Sequence, residues 1–382
     1  MLPVSLFVIA ISCIIIWRSS HGFEVASDYL GRRFPPGIKG ATINAIASSM
    51  PEFLTTIFFL FYLRDADGFS GGLGVTSGSA LFNLLIIPAL VVLMLFSAGR
   101  GKSIILNKRV LLREGVVLLV SQVLFVSFLF RSELRAWHGL SLVLLYFVYL
   151  AFLYLITRWK VRADPGFESP KTGRLLPWWL RMVTLDITQT ILRGKPLNRL
   201  NAWMLLVSST AVMTLGTWLL VLGTDMFGDA THIPLIFVAV VLSAAATSVP
   251  DTIISMKDAR KGNYDDAVSN ALGSNIFDIA FALGMPVLLY NLVYGESITL
   301  PGEIQDFTQE VWVFLLLATL LALLLMLTGK KFSRLRAWVL LAIYVVFLLF
   351  IVTQVEDQLK SVGRPVGDFL TRVADWIGIL LR

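Results

Sequence analysis

The sequence is poor in cysteine, histidine and charged residues, and each shortage excludes a class of protein. Its 382 residues include one cysteine and three histidines, and only 15% are charged. One cysteine excludes an internal disulfide, and His21, His138 and His232 are too scattered along the chain to form a zinc site. So few charges cannot cover a soluble core of this size. Composition therefore predicts an integral membrane protein, and the mean hydropathy of +0.79 agrees.

Long apolar runs, in contrast, are abundant. A membrane-spanning helix needs about 20 predominantly apolar residues. The run at the N-terminus has no basic start and no small-residue cleavage site, so we interpret it as a retained helix rather than a signal peptide. We predict ten membrane-spanning helices, at residues 2–18, 38–63, 70–98, 110–130, 137–157, 201–224, 233–256, 264–292, 309–328 and 335–355.

The positive charge follows a topological pattern. The chain has a net charge of +7, and most of its Lys and Arg residues lie in the connections that follow odd-numbered spans. By the positive-inside rule these connections are cytoplasmic and both termini are outside. The pattern predicts a multi-pass protein of the plasma (inner) membrane, surrounded by membrane lipids. It gives no reason to expect a nucleic-acid partner and leaves the oligomeric state open.

The chain divides into two halves of five predicted spans. An odd number of spans in each half inverts the second half relative to the first, as in many secondary transporters. The predicted fold is therefore an all-α integral membrane protein with ten transmembrane helices in two inverted five-helix repeats. Residues 175–192 are predicted to form one interfacial helix and 366–381 a helix lying on the membrane. The expected parts are a first repeat, a linker, a second repeat and an amphipathic tail, at residues 1–157, 158–200, 201–355 and 356–382.

Two short motifs occur once in each half. The stretch "AIASSMPE" at 45–52 corresponds to "AAATSVPD" at 244–251, and "GSALFN" at 78–83 corresponds to "GSNIFD" at 273–278. The two pairs occur in the same order, and each contains a polar or acidic residue at the same place. This duplication supports the inverted repeat and indicates that both halves contribute to one site.

Acidic residues are rare inside the predicted spans. Glu52, Asp251 and Asp278 are the only ones well inside them. An uncompensated charge there costs about 2.5–3.5 kcal/mol on membrane-insertion scales, so each acid needs a partner. No Lys or Arg lies deep in any predicted span, which leaves a bound cation or a proton as the partner. Neutral Asn83 occupies the position in the first half that Asp278 occupies in the second, so the predicted site is electrically asymmetric.

Other oxygen-bearing groups accompany the acids. Residues four apart lie on one helical face. Pro51 and Pro250 each precede an acid and remove one helical hydrogen bond, which is expected to free nearby carbonyls, among them those of Ala45 and Ala244, to bind an ion. Four side-chain pairs have the helical spacing: Ser48 with Glu52, Thr247 with Asp251, Ser79 with Asn83, and Ser274 with Asp278.

The candidate ligands are carboxylates, an amide, hydroxyls and carbonyls. Calcium takes about 6–8 such oxygens, and sodium is satisfied by a subset of them. Sulfur and imidazole are missing from the set, which argues against zinc, copper and iron. No cofactor is expected. Gly78 and Gly273 are expected to let the helices approach closely around the site.

These motifs resemble the two alpha-repeats of the sodium/calcium exchangers in the calcium/cation antiporter superfamily. Each repeat of that family carries a Ser-x-Pro-acid motif followed by a Gly-Ser-x-x-x-Asn/Asp motif, here "SSMPE" with "GSALFN" and "TSVPD" with "GSNIFD". The resemblance covers residues 35–98 and 232–292 and the ten-span count. It implies that Glu52 and Asp251 are the central calcium ligands. It also implies that six further residues complete the ion sites: Ser48, Thr247, Asn83, Asp278, Ser79 and Ser274.

The resemblance also bears on the choice of ions. The set of acids, together with "GSALFN" in the first half, is closest to the potassium-dependent branch of the family, so potassium becomes a candidate co-transported ion. Ala47 and Ala246 stand where the family usually has glycine, and their methyl groups are expected to narrow the site.

The sequence therefore predicts a secondary antiporter, and not an enzyme, that exchanges sodium for calcium by alternating access. No P-loop is present to power a primary pump. An empty site with up to three carboxylates should move only when loaded, which would couple the two fluxes. The alternatives are an antiporter that is driven by protons or moves magnesium or manganese, and a channel. An intramembrane aspartyl protease built on Asp251 and Asp278 would not explain Glu52 or the duplicated motifs.

Overall fold

The computed structural model of the chain is a bundle of membrane-length helices. It describes residues 1–33, 40–63, 66–97, 103–131, 133–157, 177–300, 302–329, 331–355 and 360–380. In these residues nine helices are long and apolar enough to cross a membrane, and two segments that meet at 44° form a tenth. In chain order, helices α1 to α10 span Leu2–Leu30, Ala41–Ser48 with Met50–Leu63, Gly68–Ser97, Lys108–Leu129, Ala136–Ile156, Arg199–Thr231, Leu235–Arg260, Tyr264–Tyr294, Ile304–Leu327 and Arg334–Val355.

The two halves make reciprocal contacts. α1 packs along α6, and α4 packs along α9, so equivalent helices pair with each other. α5 packs against α8, and its counterpart in the other half, α10, packs against α3. In the same way α3 packs against α7, and α8 packs against α2. Each contact therefore has a counterpart in which the halves are exchanged. The fold is all-α, with ten transmembrane helices in two inverted five-helix repeats, as predicted.

Two short backbone pairings join the connections between helices, and each is the counterpart of the other when the two halves are exchanged. Strand β1, Ser103–Ile104 between α3 and α4, pairs antiparallel with strand β2, Phe332–Ser333 between α9 and α10. Leu134, between α4 and α5, makes a bridge with Ile298, between α8 and α9. The first pairing joins connections that follow odd-numbered spans and the second joins connections that follow even-numbered spans. They therefore lie at opposite ends of the bundle, as an inverted repeat requires.

Large apolar side chains cover the outside of the bundle. Val148, Leu155, Val207 and Leu324 are each more than half exposed. Such a surface would be unfavourable in water, and in a bilayer it contacts acyl chains. The motif-bearing parts of α3 and α8, in contrast, are buried on almost every side. The repeated motifs therefore meet in the interior of the protein.

α1 and α6 are longer than the predicted spans 2–18 and 201–224. Those predictions ended where the first charged residues, Arg18 and Asp225, appear. In the structure, Ser20 donates its hydroxyl to a carbonyl of its own helix at 2.7 Å, and Gly22 packs against Ser209 of α6. α1 continues past Arg18 because small residues such as Gly22 pack against α6.

The predicted interfacial helix at 175–192 consists of two short helices, Trp178–Val183 and Ile187–Leu192. Leu185, between them, has a positive φ of 51°. Asp186 caps the second helix by accepting a backbone N–H at 2.9 Å, which favours a new helix start at this point. The loosest part of the linker, upstream of these helices, lies outside the described residues.

The tail forms a helix, α11, at Lys360–Leu380 that packs along α9 and α10. Of two neighbouring apolar residues in this helix, Leu370 is buried, whereas Phe369 is 56% exposed. Gly363 and Gly378 pack closely against side chains of other helices. The face of α11 that packs on other helices therefore includes glycines. A sequence pattern based on apolar side chains does not identify these positions.

Candidate cation-binding site

α2 and α7 are interrupted at equivalent points. α2 breaks at Ser49 and α7 at Ser248, where ψ is 5° and −1°. Each following segment carries a proline in its first turn, where the missing N–H has no helical partner to lose. Glu52 and Asp251 occupy the same first turns, and the positive end of a helix dipole favours a carboxylate there. The repeated Pro-acid motif thus places both acids at helix starts inside the bundle.

α3 and α8 press against these interrupted helices through glycines. A Cβ atom on Gly78 would meet the carbonyl of Val240 and lie 2.6 Å from the Cβ of Ala244. A Cβ on Gly273 would lie 3.0 Å from the Cα of Ala41. These approaches bring the motif faces together, and all eight predicted side-chain ligands have no exposed surface: Ser48, Glu52, Ser79, Asn83, Thr247, Asp251, Ser274 and Asp278.

Asp251 receives hydrogen bonds from both halves. The amide Nδ2 of Asn83 donates to its Oδ2 at 2.9 Å. The hydroxyl of Ser274 donates to its Oδ1 at 2.6 Å, and the hydroxyl of Ser48 lies 3.3 Å from that of Ser274. Asn83 and Ser48 belong to the first half, so the acid of the second half is held by residues of the first.

Glu52 and Asp278 have fewer donors. The hydroxyl of Ser79 lies 3.1 Å from Oε1 of Glu52 and 3.4 Å from Oδ2 of Asp278. A hydroxyl carries one hydrogen, so it can donate to only one of the two carboxylates at a time. Ser79 in turn accepts from the hydroxyl of Ser248 at 3.0 Å and from the amide of Asn83 at 3.4 Å. This side of the site is therefore short of hydrogen-bond donors.

Among the predicted ligands, three acceptor oxygens have no hydrogen-bond partner in the described part of the chain. They are Oε2 of Glu52, Oδ1 of Asp278 and Oδ1 of Asn83, and all three are buried. Such oxygens are costly in a membrane interior, and a cation would supply the missing positive partner. In the described part of the chain no three acidic, histidine or cysteine side chains lie together as ligands of one metal ion. A cation here would therefore also use hydroxyl, amide or backbone oxygens, which suits calcium or sodium.

The other predicted ligands already have partners in this conformation. The hydroxyl of Thr247 lies 3.2 Å from the carbonyl of Ala244, and that of Ser48 donates to a carbonyl of its own helix at 2.8 Å. The carbonyls of Ala45 and Ala244 each accept the backbone N–H four residues later, at 3.0 Å. The prolines do not release these two carbonyls, because the N–H that each proline lacks would bond the carbonyl of Ala47 or Ala246, two residues further along the chain. Each carbonyl also accepts a hydroxyl, Ala45 from Ser48 at 3.3 Å and Ala244 from Thr247 at 3.2 Å, so an ion would bind these carbonyls only after the hydroxyls turn away.

The sequence analysis missed two serines at the helix breaks. Ser248 is fully buried and donates to Ser79. Ser49, at the equivalent break in α2, lies beside Asp278, and its hydroxyl has no hydrogen-bond partner among the described residues. The same residue type at the same position of both motifs was the signal that could have identified them.

Two buried asparagines of α8 were also missed. Asn270 lies beside Asp251 and stands four residues before Ser274, so the four-residue spacing used for the other ligands would have reached it. Asn275 donates its amide to the carbonyl of Ala80 at 2.9 Å. That bond ties α8 to α3, and nothing in the sequence pattern indicates it.

A fourth acid is buried inside a span, in contrast to the prediction that only three are. Glu114 of α4 has no exposed surface. Its Oε1 lies 2.9 Å from Nε of Arg113, and its Oε2 accepts the hydroxyl of Tyr149 from α5. Its charge is therefore paired within the protein and requires no transported cation.

The chain is similar in sequence to known exchangers. A profile of the family described as "Sodium/calcium exchanger protein" matches residues 4–155 and 201–353, which are the two repeats. "Inner membrane protein YrbG" of Escherichia coli (strain K12) is 26% identical over 319 residues, which is 82% of this chain and 86% of that protein. "Sodium/potassium/calcium exchanger Nckx30C" of Drosophila melanogaster is 38% identical over 124 residues, which is 32% of this chain. This match spans only 13% of the fly protein's length.

Solved structures share the fold. The H+/Ca2+ exchanger CAX gives a TM-score of 0.70 at 17% identity, covering 99% of this chain and 87% of that one. The sodium-calcium exchanger NCX_Mj gives 0.54 at 20% identity, covering 91% and 98%. At these identities the likeness concerns the fold alone. The family profile, however, covers both repeats and every residue of the candidate site, and the chain therefore belongs to the sodium/calcium exchanger family of cation antiporters.

Proposed function

We propose that the chain exchanges sodium for calcium across the membrane by alternating access. The observation that carries this proposal is the pair of buried helix-start carboxylates, Glu52 from the first half and Asp251 from the second, with unpartnered acceptor oxygens beside them. The proposed ion ligands are Glu52, Asp251, Asp278, Asn83, Ser48, Thr247, Ser79, Ser274 and the carbonyls of Ala45 and Ala244.

The charge and the donor chemistry of the site favour calcium as the divalent ion. Glu52 and Asp251 together neutralise one divalent cation, and the hydroxyls and the amide supply neutral oxygens. Calcium binds about 6–8 oxygens at about 2.3–2.6 Å, a demand that this set can meet. Sodium needs fewer oxygens and uses the same carboxylates. Because the two ions share ligands, one displaces the other, which is the chemical basis of exchange.

Loading of the site would couple the two fluxes. Without an ion, the site holds carboxylates that are buried in the membrane interior without sufficient donors. Moving such charges between the two membrane faces is costly. A bound calcium or a set of sodium ions removes that cost. The protein is then expected to change its accessible side only when loaded.

Asp278 adds negative charge beyond what one calcium ion neutralises. Its repeat equivalent, Asn83, is an amide that donates to Asp251. Asp278 has no amide donor of this kind; it shares the hydrogen of Ser79 with Glu52 and lies beside the hydroxyl of Ser49. We propose potassium as the balancing ion, and the sequence similarity to proteins named sodium/potassium/calcium exchangers supports this choice. An additional sodium ion or a proton would balance the charge equally well.

A proton-driven antiporter, or one that moves magnesium or manganese, is the second candidate. The shortage of donors around Glu52 and Asp278 favours it, because a proton on either carboxyl would supply a missing hydrogen bond. The structure named H+/Ca2+ exchanger CAX shares this fold. The two candidates differ in the gradient that drives transport.

Calcium-45 uptake into proteoliposomes separates the candidates. We expect uptake when sodium is loaded inside and diluted outside, and no uptake when a sodium ionophore collapses that gradient. Glu52→Gln protein, reconstituted in parallel, controls for leak. Uptake driven by a pH gradient in sodium-free buffer would replace the proposal with the second candidate, and unlabelled magnesium or manganese would then be tested as competitors. No calcium uptake under either gradient would reject calcium exchange.

We also propose that the chain lies in the inner membrane with both termini outside. The concentration of Lys and Arg after odd-numbered spans supports this orientation, and the relative named an inner membrane protein supports the location. Alkaline phosphatase fused after α11 should be active in a bacterial host. A fluorescent protein that matures at that position would contradict the orientation.

A further inference from the structure

Tyr146 of α5 carries a buried hydroxyl that no described residue satisfies. The residue is 3% exposed, and its Oη atom has no hydrogen-bond partner in the described part of the chain. Three residues later on the same helix, Tyr149 is equally buried, but its hydroxyl donates to Glu114. An unpartnered hydroxyl is costly in a membrane interior. The contrast between the two tyrosines suggests that Tyr146 has a partner in another state of the protein.

Asp278 has the complementary deficiency. Its Oδ1 is buried without a partner among the described residues. The ring of Tyr146 packs edge-on against Phe277, with centroids 5.4 Å apart, and against Phe281, at 5.6 Å. These two residues flank Asp278 on α8, and the hydroxyl of Tyr146 is close enough to Asp278 for electrostatic interaction. A donor without an acceptor and an acceptor without a donor therefore lie between α5 and α8.

The repeat provides a comparison within the same chain. Tyr344, in the fifth span of the second half, packs edge-on against Phe82 with centroids 5.9 Å apart. Phe82 precedes Asn83 as Phe277 precedes Asp278. Each half thus brings a tyrosine of its fifth span against the residue before a third-span ligand. The tyrosine of the first half stands beside an acid, and the tyrosine of the second half stands beside an amide.

We propose that Tyr146 is a positioning residue of the cation site, whose hydroxyl donates to Oδ1 of Asp278 and turns Oδ2 toward Ser79 and Glu52. This inference rests on the proposed function only in taking Asp278 as an ion ligand. With Oδ1 bonded to α5, the carboxylate has one orientation; without that bond it can rotate about its last torsion. The packing of α5 on α8 then controls how well Asp278 serves a monovalent ion.

The test is a double-mutant cycle on purified protein in detergent. Cation binding is read as the sodium concentration that gives half of the maximal thermal stabilisation, a measurement that needs no transport. We expect Tyr146→Phe to raise this concentration about tenfold, the usual effect of losing a hydrogen bond to a charged group. In an Asp278→Asn background the same substitution should have a clearly smaller effect, because the amide oxygen accepts only a neutral hydrogen bond.

Tyr149→Phe and Tyr344→Phe are matched controls, since each removes one tyrosine hydroxyl from a fifth span and both should leave the half-saturating sodium concentration unchanged. An unchanged value for Tyr146→Phe, or an equal effect with and without the Asp278 carboxylate, would overturn the proposal. If Ser49→Ala, and not Tyr146→Phe, has an effect on sodium binding that depends on the Asp278 carboxylate, the donor to Asp278 is Ser49 at the break of α2, and the proposal is wrong. If wild-type protein binds calcium but not sodium, the proposed function fails, and the same cycle run with calcium still decides the role of Tyr146.

Discussion

Asn83 of α3 donates its amide to the carboxylate of Asp251 of α7 at 2.9 Å. The repeat places Asp278 at the position equivalent to Asn83, and Glu52 at the position equivalent to Asp251. On one side of the site an amide meets a carboxylate; on the other, two carboxylates share the hydrogen of Ser79. The two halves thus have the same backbone arrangement around the site, but the second half carries a carboxylate where the first carries an amide. In our account, this difference creates the need for a monovalent ion beside calcium.

Glu52→Gln and Asp251→Asn each remove one charge from the site while keeping its shape. We expect sodium-dependent calcium uptake to fall at least about a hundredfold, because removing one partner of a buried ionic contact costs about 3–5 kcal/mol. Both proteins should still fold, since the charge itself opposes membrane insertion, and thermal melting checks this. Near-normal calcium flux in either variant would disprove its role as a ligand.

Asp278→Asn would make the two repeats match. If a monovalent ion or a proton balances this charge, the variant should still exchange sodium for calcium, with an altered dependence on potassium or pH. Calcium flux measured against external potassium and external pH, for wild type and variant side by side, checks this. A variant that is inactive under every condition would mean that Asp278 binds calcium directly.

Gly78→Ala tests the close packing behind the site. Its new methyl would meet the backbone of Val240 and crowd Ala244, so α3 and α7 must separate. Overpacking of this kind costs about 1–3 kcal/mol, and the melting temperature should fall. Gly72→Ala in the same helix is the control, because its methyl would lie 3.2 Å from a side-chain methyl of Thr56, a much smaller overlap than at Gly78. Equal stability of the two variants would refute the proposed close approach.

Lys257 of α7 and Glu24 of α1 form an ion pair, with Nζ and Oε2 2.6 Å apart. The pair borders a small cavity that reaches Pro250, next to Asp251. Lys257→Glu should slow exchange by about fivefold, in line with the modest worth of a partly exposed pair. The reversed pair, Glu24→Lys with Lys257→Glu, should recover most of the rate. Calcium flux of both variants checks this, and a reversed pair as slow as the single variant would show that the contact itself does not matter.

The ten spans could be predicted because a bilayer demands long apolar helices, and hydropathy reports them directly. The duplication also identified residues that the fold brings together, such as Asn83 and Asp251, which lie 168 positions apart in the chain. The apolar spans are visible in local hydropathy, and the site residues are visible because their motifs occur twice in the sequence.

The remaining features depend on contacts that the sequence pattern does not report. Glu114 was overlooked because the tyrosine that holds it lies on a different helix. The C-terminal end of α1 was misjudged because a charged residue, Arg18, was taken as the edge of the membrane, whereas the helix continues along α6. The hydrogen bonds of the Ala45 and Ala244 carbonyls follow from where each helix breaks, which is two residues before the proline.

A structure determined with calcium and without sodium tests most directly whether the two halves share one ion. We expect calcium between Glu52 and Asp251, with oxygens of both carboxylates about 2.3–2.6 Å from it, and no calcium there in Glu52→Gln. Calcium bound elsewhere, or carboxylates more than about 10 Å apart in every state, would contradict the account, because no single ion could then contact both.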